Sequence, residues 1–194
     1  MNPMAKISMM RRHGCGRRGE QGVAAVELAL VFPILLVLLL GGLDITRYML
    51  YHQKVDRITF SVADMVAQSQ SVTKLQMDDI VLAAGQIMQP FAFGSNGVVI
   101  VSSVYKDPAQ TYPTIRWQYV GGGSLARVSK VGIVNGTPAL PAGLTLNDKD
   151  NVIIAETYYL FDPTFNSGVV TKSDIYKEAV YKPRLGSLLT LPNS

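Results

Sequence analysis

"RRGEQGVAAVELALVFPILLVLLLGG", residues 17–42, places one carboxylate, Glu27, inside a run that otherwise admits no charge. From Val23 to Leu43 Glu27 is the only charged side chain, and Pro33 is the only helix breaker. At about 1.5 Å per residue a helix over this run is about 30 Å long, the thickness of a bilayer's hydrocarbon core. A buried helix of a soluble protein would need a polar side toward water, and "LALVFPILLVLLLGGL" has none. The run therefore predicts a transmembrane helix over 23–43. Pro33 is tolerable there because neighbouring groups re-satisfy the carbonyl it strands, and it predicts a modest kink.

The flanks set an orientation. Arg11, Arg12, Arg17 and Arg18 precede the run, whereas Asp44 and Arg47 follow it and cancel. The bias of basic residues toward the cytoplasm then predicts a single pass with a cytoplasmic N-terminus and a periplasmic or extracytoplasmic C-terminal body. A cleaved secretory signal fits poorly, because its apolar core is typically about 7 to 15 residues long and ends at a small-x-small site. A lipoprotein fits worse, since Cys15 lies before the run.

The whole chain of 194 residues carries +4, yet its distribution is uneven. Lys6 and the four leader arginines against Glu20 give 5 − 1 = +4 over the first 22 residues, and the remaining 13 basic and 13 acidic residues cancel. A neutral body has no electrostatic footprint for a phosphate backbone, so no nucleic acid is expected as a partner. A lone cysteine and two histidines, His13 and His52, exclude a disulfide framework within the chain and argue against a metal site.

Glu27 needs a reason, because a carboxylate in hydrocarbon costs up to about 3 kcal/mol on insertion scales. One reading is an interfacial carboxylate that snorkels or takes up a proton. The other follows from its surroundings: Gly22 ends a basic leader, Val23 opens the apolar run, and Glu27 is the run's fifth residue. This pattern resembles the processing site of type IV pilins and pseudopilins. The longer stretch "GVAAVELALVFPILLVLLLGGLDITRYMLYHQKVDRITFSVADMVAQ", with its AAVE core, internal proline and amphipathic continuation, is similar to the TadE-like family of tight-adherence (Flp) pilus systems. The resemblance covers about the first quarter of the chain, and Leu28 stands where the family often has an aromatic residue.

The resemblance implies a leader over 1–22 and cleavage between Gly22 and Val23 by a prepilin peptidase on the cytoplasmic side. Met4, Met9 and Met10 offer later starts that would shorten that leader. It also implies that Glu27 is an assembly determinant. A new α-ammonium on Val23 of a neighbouring subunit and this carboxylate would turn two costly charges into one neutral pair, with desolvation offsetting part of the gain. The implied partners are the peptidase, other pilins and pseudopilins, the pilus assembly machinery and the lipid bilayer. A structural role with no small-molecule substrate, no cofactor and no catalysis follows.

Beyond the bilayer, "DITRYMLYHQKVDRITFSVADMVAQSQ" lacks Gly and Pro and repeats apolar residues at Ile45, Tyr48, Val55, Ile58, Val62 and Met65. That spacing predicts one long helix from about Val23 to Gln70, with an amphipathic extension over 44–70. Its stripe is read as packing on the protein's own sheet ahead of an intersubunit seam. Asp44, Arg47, Lys54, Arg57 and Asp64 are expected on the opposite side, and His52 on the helix surface. After "SQSVTK", the segment "KLQMDDIVLAAGQIMQPF" predicts a second helix with Leu75, Ile80, Ala83, Ala84, Ile87 and Met88 on its apolar side, ended by Pro90. Asp78 and Asp79 read as its start, where the helix dipole favours acids.

From Gly97 the period changes. Residues 98–105, 114–120, 151–161 and 173–182 are β-branched and aromatic, which predicts four strands, antiparallel because no helical crossover separates most of them. Alternation in "TIRWQYV" puts Ile115, Trp117 and Tyr119 on one face. Residues 121–150 read as an exposed excursion, and Glu156 as facing solvent or pairing with Arg116. "GGGS" at 121–124 lacks the Lys-Ser/Thr continuation of a phosphate loop, and "DKD" at 148–150 lacks calcium-loop spacing. The tail with Leu185, Leu188, Leu189 and Leu191 is expected to cap its own sheet.

The resulting expectation is an α+β chain: a long N-terminal transmembrane and amphipathic helix, a second helix, then an antiparallel sheet of about four strands, pilin-like in arrangement. Its divisions are 1–22, 23–43, 44–70 and an extracytoplasmic domain over 71–194. The alternatives are an unprocessed single-pass envelope-binding or scaffold domain, and an anchored hydrolase that the missing His and Cys chemistry disfavours.

Overall fold

The computed structural model describes residues 17–165 and 168–192. Lys6, Arg11, Arg12, His13 and Cys15 lie outside the described residues. One helix, α1 (Arg17–Gln68), runs on through Pro33 and joins the apolar run to the amphipathic extension. A second, α2 (Lys74–Gly85), starts at Thr73. There the Thr73 hydroxyl accepts the Gln76 amide at 3.3 Å and the Gln76 side chain accepts the Thr73 amide at 2.9 Å, so two orphan donors of the first turn are satisfied. The strands β1 (Gly97–Tyr105), β2 (Thr114–Gly121), β3 (Asn151–Phe161) and β4 (Ser173–Tyr181) each fall within a residue of the segments read from sequence. They form one antiparallel sheet in the order β2-β1-β3-β4. The α+β arrangement stands.

The outer half of α1 lies on this sheet. Tyr51, Val55, Ile58, Val62 and Val66 are buried at spacings of three and four, and they share one core with Val99, Val101, Ile153, Ala155 and Tyr159. The Tyr51 ring stacks on Phe91 at 4.2 Å and on Tyr159 at 5.2 Å. The stripe read from sequence therefore meets the protein's own sheet, with Ile45 left exposed and Tyr48 and Met65 partly covered. Each such side chain removed from water contributes about 1.5–3 kcal/mol before entropy.

The charges of α1 are arranged differently from expectation. Lys54 donates to the carbonyls of Ile87 and Gln89 at 2.9 and 2.7 Å, Asp56 pairs with Lys177 at 3.1 Å, and Asp64 accepts from Arg184 at 2.9 Å. Asp44 is fully buried and Arg47 sits 5.7 Å from the Phe91 ring centre. These residues border the apolar stripe, and their long side chains reach sideways to the body; Arg57 alone of the five expected on the opposite side stays exposed.

Three further expectations need correction. In α2 the buried residues are Met77, Val81 and Ala84, continued by Met88, while Leu75 and Leu82 face out. Asp78 and Asp79 lie past the first turn, and Asp78 accepts from the Tyr119 hydroxyl. In β2, Ser103 opposes Trp117 but Val104 opposes Ile115, so Arg116 is an extra residue that interrupts the alternation. Ile115 consequently joins Val104, Val131, Val152 and Ile154 on the far side of the sheet, while Trp117 and Tyr119 face α1.

That far side is where residues 121–150 go. Val131 is buried there, with Leu140 and Leu146 packed beside it, and Ile115 exchanges backbone bonds with Asn135 and Gly136. The segment is a cover for the sheet's second face, which is why β3 is buried on both sides. Its glycines serve close approach: a Cβ on Gly123 would stand 2.2 Å from the Gly97 carbonyl oxygen. The tail caps the sheet through Leu188 and Leu191, whereas Leu185, expected with them, is exposed. Leu188 is buried, and its carbonyl accepts from Ser103 at 2.6 Å and from the Trp117 indole at 2.9 Å.

Candidate membrane and assembly site

Residues 22–39 of α1 touch nothing in the body and are exposed throughout. This stretch makes α1 the one described helix long and apolar enough to cross a membrane. Arg17 and Arg18 are the first two residues of that helix. Gly22, Val23 and Glu27 follow on its surface, with Val23 at 61 % exposure and no atom within 4 Å of a Cβ built on Gly22. Val23 and Glu27 are one turn apart and share a side of the helix. Pro33 lies mid-helix, with exposed Phe32 and Ile34 around it. The structure thus brings the residues of the expected processing and assembly site onto one solvent-accessible, body-free segment; Arg11 and Arg12 are outside the described residues.

At the other end of the apolar run stands a residue the sequence reading misplaced. Asp44 is buried, and its Oδ1 accepts the amide of Phe165, in the loop after β3, at 3.3 Å. Its helical phase was legible: stepping 7, 4, 3 and 4 from Asp44 reaches Tyr51, Val55, Ile58 and Val62, all buried. An acid on that stripe has to find a donor.

Glu156 is the second such residue. It is fully buried in β3, where it faces the covering segment. Its carboxylate accepts from the Ser129 hydroxyl, from the Lys130 amide at 2.8 Å and from the Tyr176 hydroxyl at 3.1 Å. Among the described residues it pairs with no arginine; Arg116 goes to Asp107 at 3.3 Å. The single Tyr176 proton is shared with Glu178 at 2.7 Å. Burial, the bond to Glu178 and the two carboxylate charges push the Tyr176 pKa well up. Tyr158 beside it is pushed up to about 12, chiefly by burial and then by the Glu156 charge. This cluster fastens the cover to the sheet.

His52 is half-buried against the edge of Tyr48, with Nε2 unpartnered among the described residues. Burial lowers its pKa, with the Lys177 charge adding and Asp56 opposing. Among the described residues no group of three or more His, Cys, Asp or Glu is placed to hold a metal ion. Two hollows, of about 320 and 360 Å³, are open; Phe91 and Phe93 line one and Trp117 and Tyr119 the other.

The fold and the free segment together define a class: an α+β domain carried on an N-terminal helix whose exposed apolar half suits single-pass membrane anchoring. The model of the family described as TadE-like protein matches residues 22–64, from Gly22 through the apolar run to Asp64 on the docked half of α1. The resemblance read from the sequence is borne out over that stretch. No curated protein and no solved structure matches the chain.

Proposed function

We propose that this chain is a minor pseudopilin, a structural or assembly component of a Flp-type (type IVb) tight-adherence pilus. The TadE-like match over 22–64 carries the reading and points to a Tad pilus-associated component. In this proposal the chain sits in a bacterial inner membrane as a single pass, its basic leader cytoplasmic and its sheet domain periplasmic. A prepilin peptidase removes residues 1–22 by cutting between Gly22 and Val23. Glycine inside a helix costs about 1 kcal/mol relative to alanine, so the turn around Gly22 unwinds for cleavage more readily than the apolar turns directly after it.

Glu27 then receives the Val23 α-ammonium of a neighbouring subunit, and the exposed run around it packs among other pilins and the lipid. Its work is structural, with no catalytic group, cofactor or small-molecule substrate assigned. The test is intact mass and N-terminal sequence of the protein purified from membranes, with and without a co-expressed prepilin peptidase. A peptidase-dependent start at Val23 is the expected result. Persistence of Arg17 and Arg18 in both samples would overturn processing and leave an unprocessed, anchored envelope scaffold. With processing established, Glu27→Ala is expected to leave cleaved subunits outside assembled pili, and normal assembly would make Glu27 incidental.

A further inference from the structure

We infer that Arg47 is the phosphate-binding residue of a phospholipid site: its guanidinium, set against the Phe91 ring, holds the headgroup of a lipid in the leaflet on the body's side of the membrane. The inference rests on the membrane-anchored part of the reading above, and not on processing or pilus assembly.

Height along α1 places the residue. The apolar run ends at Leu43, and four further residues at about 1.5 Å each lift Arg47 about 6 Å above it. The headgroup layer outside the hydrocarbon core is about 5–7 Å thick on each side, so a bilayer that covers 23–43 brings its phosphates to the level of Arg47. Contacts on the body agree. The Phe91 ring centre lies 5.7 Å from the Arg47 guanidinium, and the ring stacks on Tyr51, one turn higher, at 4.2 Å. Gln89, Pro90 and Ala92 beside it are exposed, and the whole stretch 89–96 carries no charge.

The charge of Arg47 is left over at this level. Two acids stand near it in height, and both turn elsewhere. Asp44, one turn before it, is buried and accepts the Phe165 amide at 3.3 Å. Asp162, next to the Phe161 ring that packs on Tyr48, pairs with Lys172 at 2.9 Å. Among the described residues the arginines in ion pairs are Arg116, Arg127 and Arg184, and the contact of Arg47 is the ring. The bias of basic residues toward the cytoplasm disfavours an unpaired arginine on this side of the span. A phosphate compensates it: the planar guanidinium presents five donors in a fork that matches phosphate oxygens, and contact with a ring consumes none of them. Arg57 marks the contrast. It too lacks an ion pair among the described residues, but it is exposed about 21 Å above Leu43, beyond the reach of the headgroups.

The test uses the full-length chain in dodecyl maltoside, titrated with dioleoylphosphatidylglycerol and read by native mass spectrometry as the number and apparent affinity of lipids retained. The leader arginines are present in every sample, so differences between variants belong to the substituted residue. Arg47→Gln is expected to weaken retention of one lipid about five-fold, the effect of removing one basic contact at a lipid surface. Arg47→Lys should weaken it less and Arg57→Gln leave it unchanged. Dioleoylglycerol, which lacks the phosphate, should be retained equally by all of them. Unaltered retention in Arg47→Gln would overturn the site, and an equal loss in Arg57→Gln would overturn it by showing attraction to net charge alone. Displacement of phosphatidylglycerol by an equal concentration of inorganic phosphate would assign Arg47 to a free anion and overturn the lipid. A loss that Arg47→Lys does not restore in part, with a lowered urea midpoint of Trp117 emission, would trace the effect to the fold and overturn it too. The anchor is read separately by membrane fractionation: an unmodified chain recovered in the soluble fraction would remove the span, and the site with it.

Discussion

A carboxylate inside an apolar element is decided by its donors, and the chain holds three such residues with different solutions. Asp44 takes a loop amide, Glu156 takes three donors from the covering segment and β4, and Glu27 is exposed on the free part of α1. Glu156 can be tested without reference to function. Replacing it by leucine leaves the Ser129 and Tyr176 hydroxyls free to turn elsewhere, Tyr176 toward Glu178, but strands the Lys130 amide. A buried unsatisfied donor costs about 1–3 kcal/mol. Glu156→Leu should therefore lower the urea midpoint of the body, read from the emission of buried Trp117, by an amount in that range. Glu156→Gln keeps an acceptor and should lose less. Equal midpoints for both and for the unmodified protein would mean that the cluster does not hold the cover down.

At the level of elements, two forces fasten α1 to the sheet, and their sizes differ. Ile58 is fully buried in the core, and its truncation to alanine is expected to cost about 2–5 kcal/mol through lost transfer energy and a cavity. The Asp56–Lys177 pair is 30–40 % exposed on both sides, where such pairs are worth about 0–1 kcal/mol. Ile58→Ala should thus lower the denaturation midpoint several times more than Asp56→Asn; comparable losses would show that the charged struts, and not the stripe, govern docking. The same contrast explains what was legible in the sequence. The β-branched runs announced all four strands, and the 3.6-residue period announced both helices and the docked stripe of α1. Periodicity failed where a local event reset it: the extra residue Arg116 moved Ile115 to the other face, and α2 had too many apolar residues for its buried side to be chosen without knowing where the sheet lies. The cover over 121–150 was read as a loop because its Gly and Pro content reports irregular backbone and not exposure. In the candidate site, Gly22, Val23 and Glu27 were legible because pattern and resemblance agree there, whereas the role of Asp44 depends on a partner 121 positions away and that of Glu156 on partners 20 to 27 positions away.

On the scale of the whole molecule, one helix belongs to two environments, and the division falls at Leu40 to Asp44. Above it every turn of α1 contributes to the core; below it, residues 22–39 contribute nothing to the body's packing. Stability of the domain and membrane attachment should therefore be separable by mutation. An arginine at the centre of a membrane helix costs about 2.5–3.5 kcal/mol on insertion scales. Leu36→Arg, at an exposed position in the middle of the run, should move protein from the membrane fraction toward the soluble or degraded fraction. In detergent, the same variant should keep the urea midpoint of Trp117 emission unchanged, because Leu36 lies outside the core that reports it. Ile58→Ala should do the opposite, lowering the midpoint while leaving membrane fractionation intact. If Leu36→Arg destabilised the body as much as Ile58→Ala, the apolar half of α1 would be packing on the domain and not on lipid, and the division of this helix into an anchor and a core element would fail.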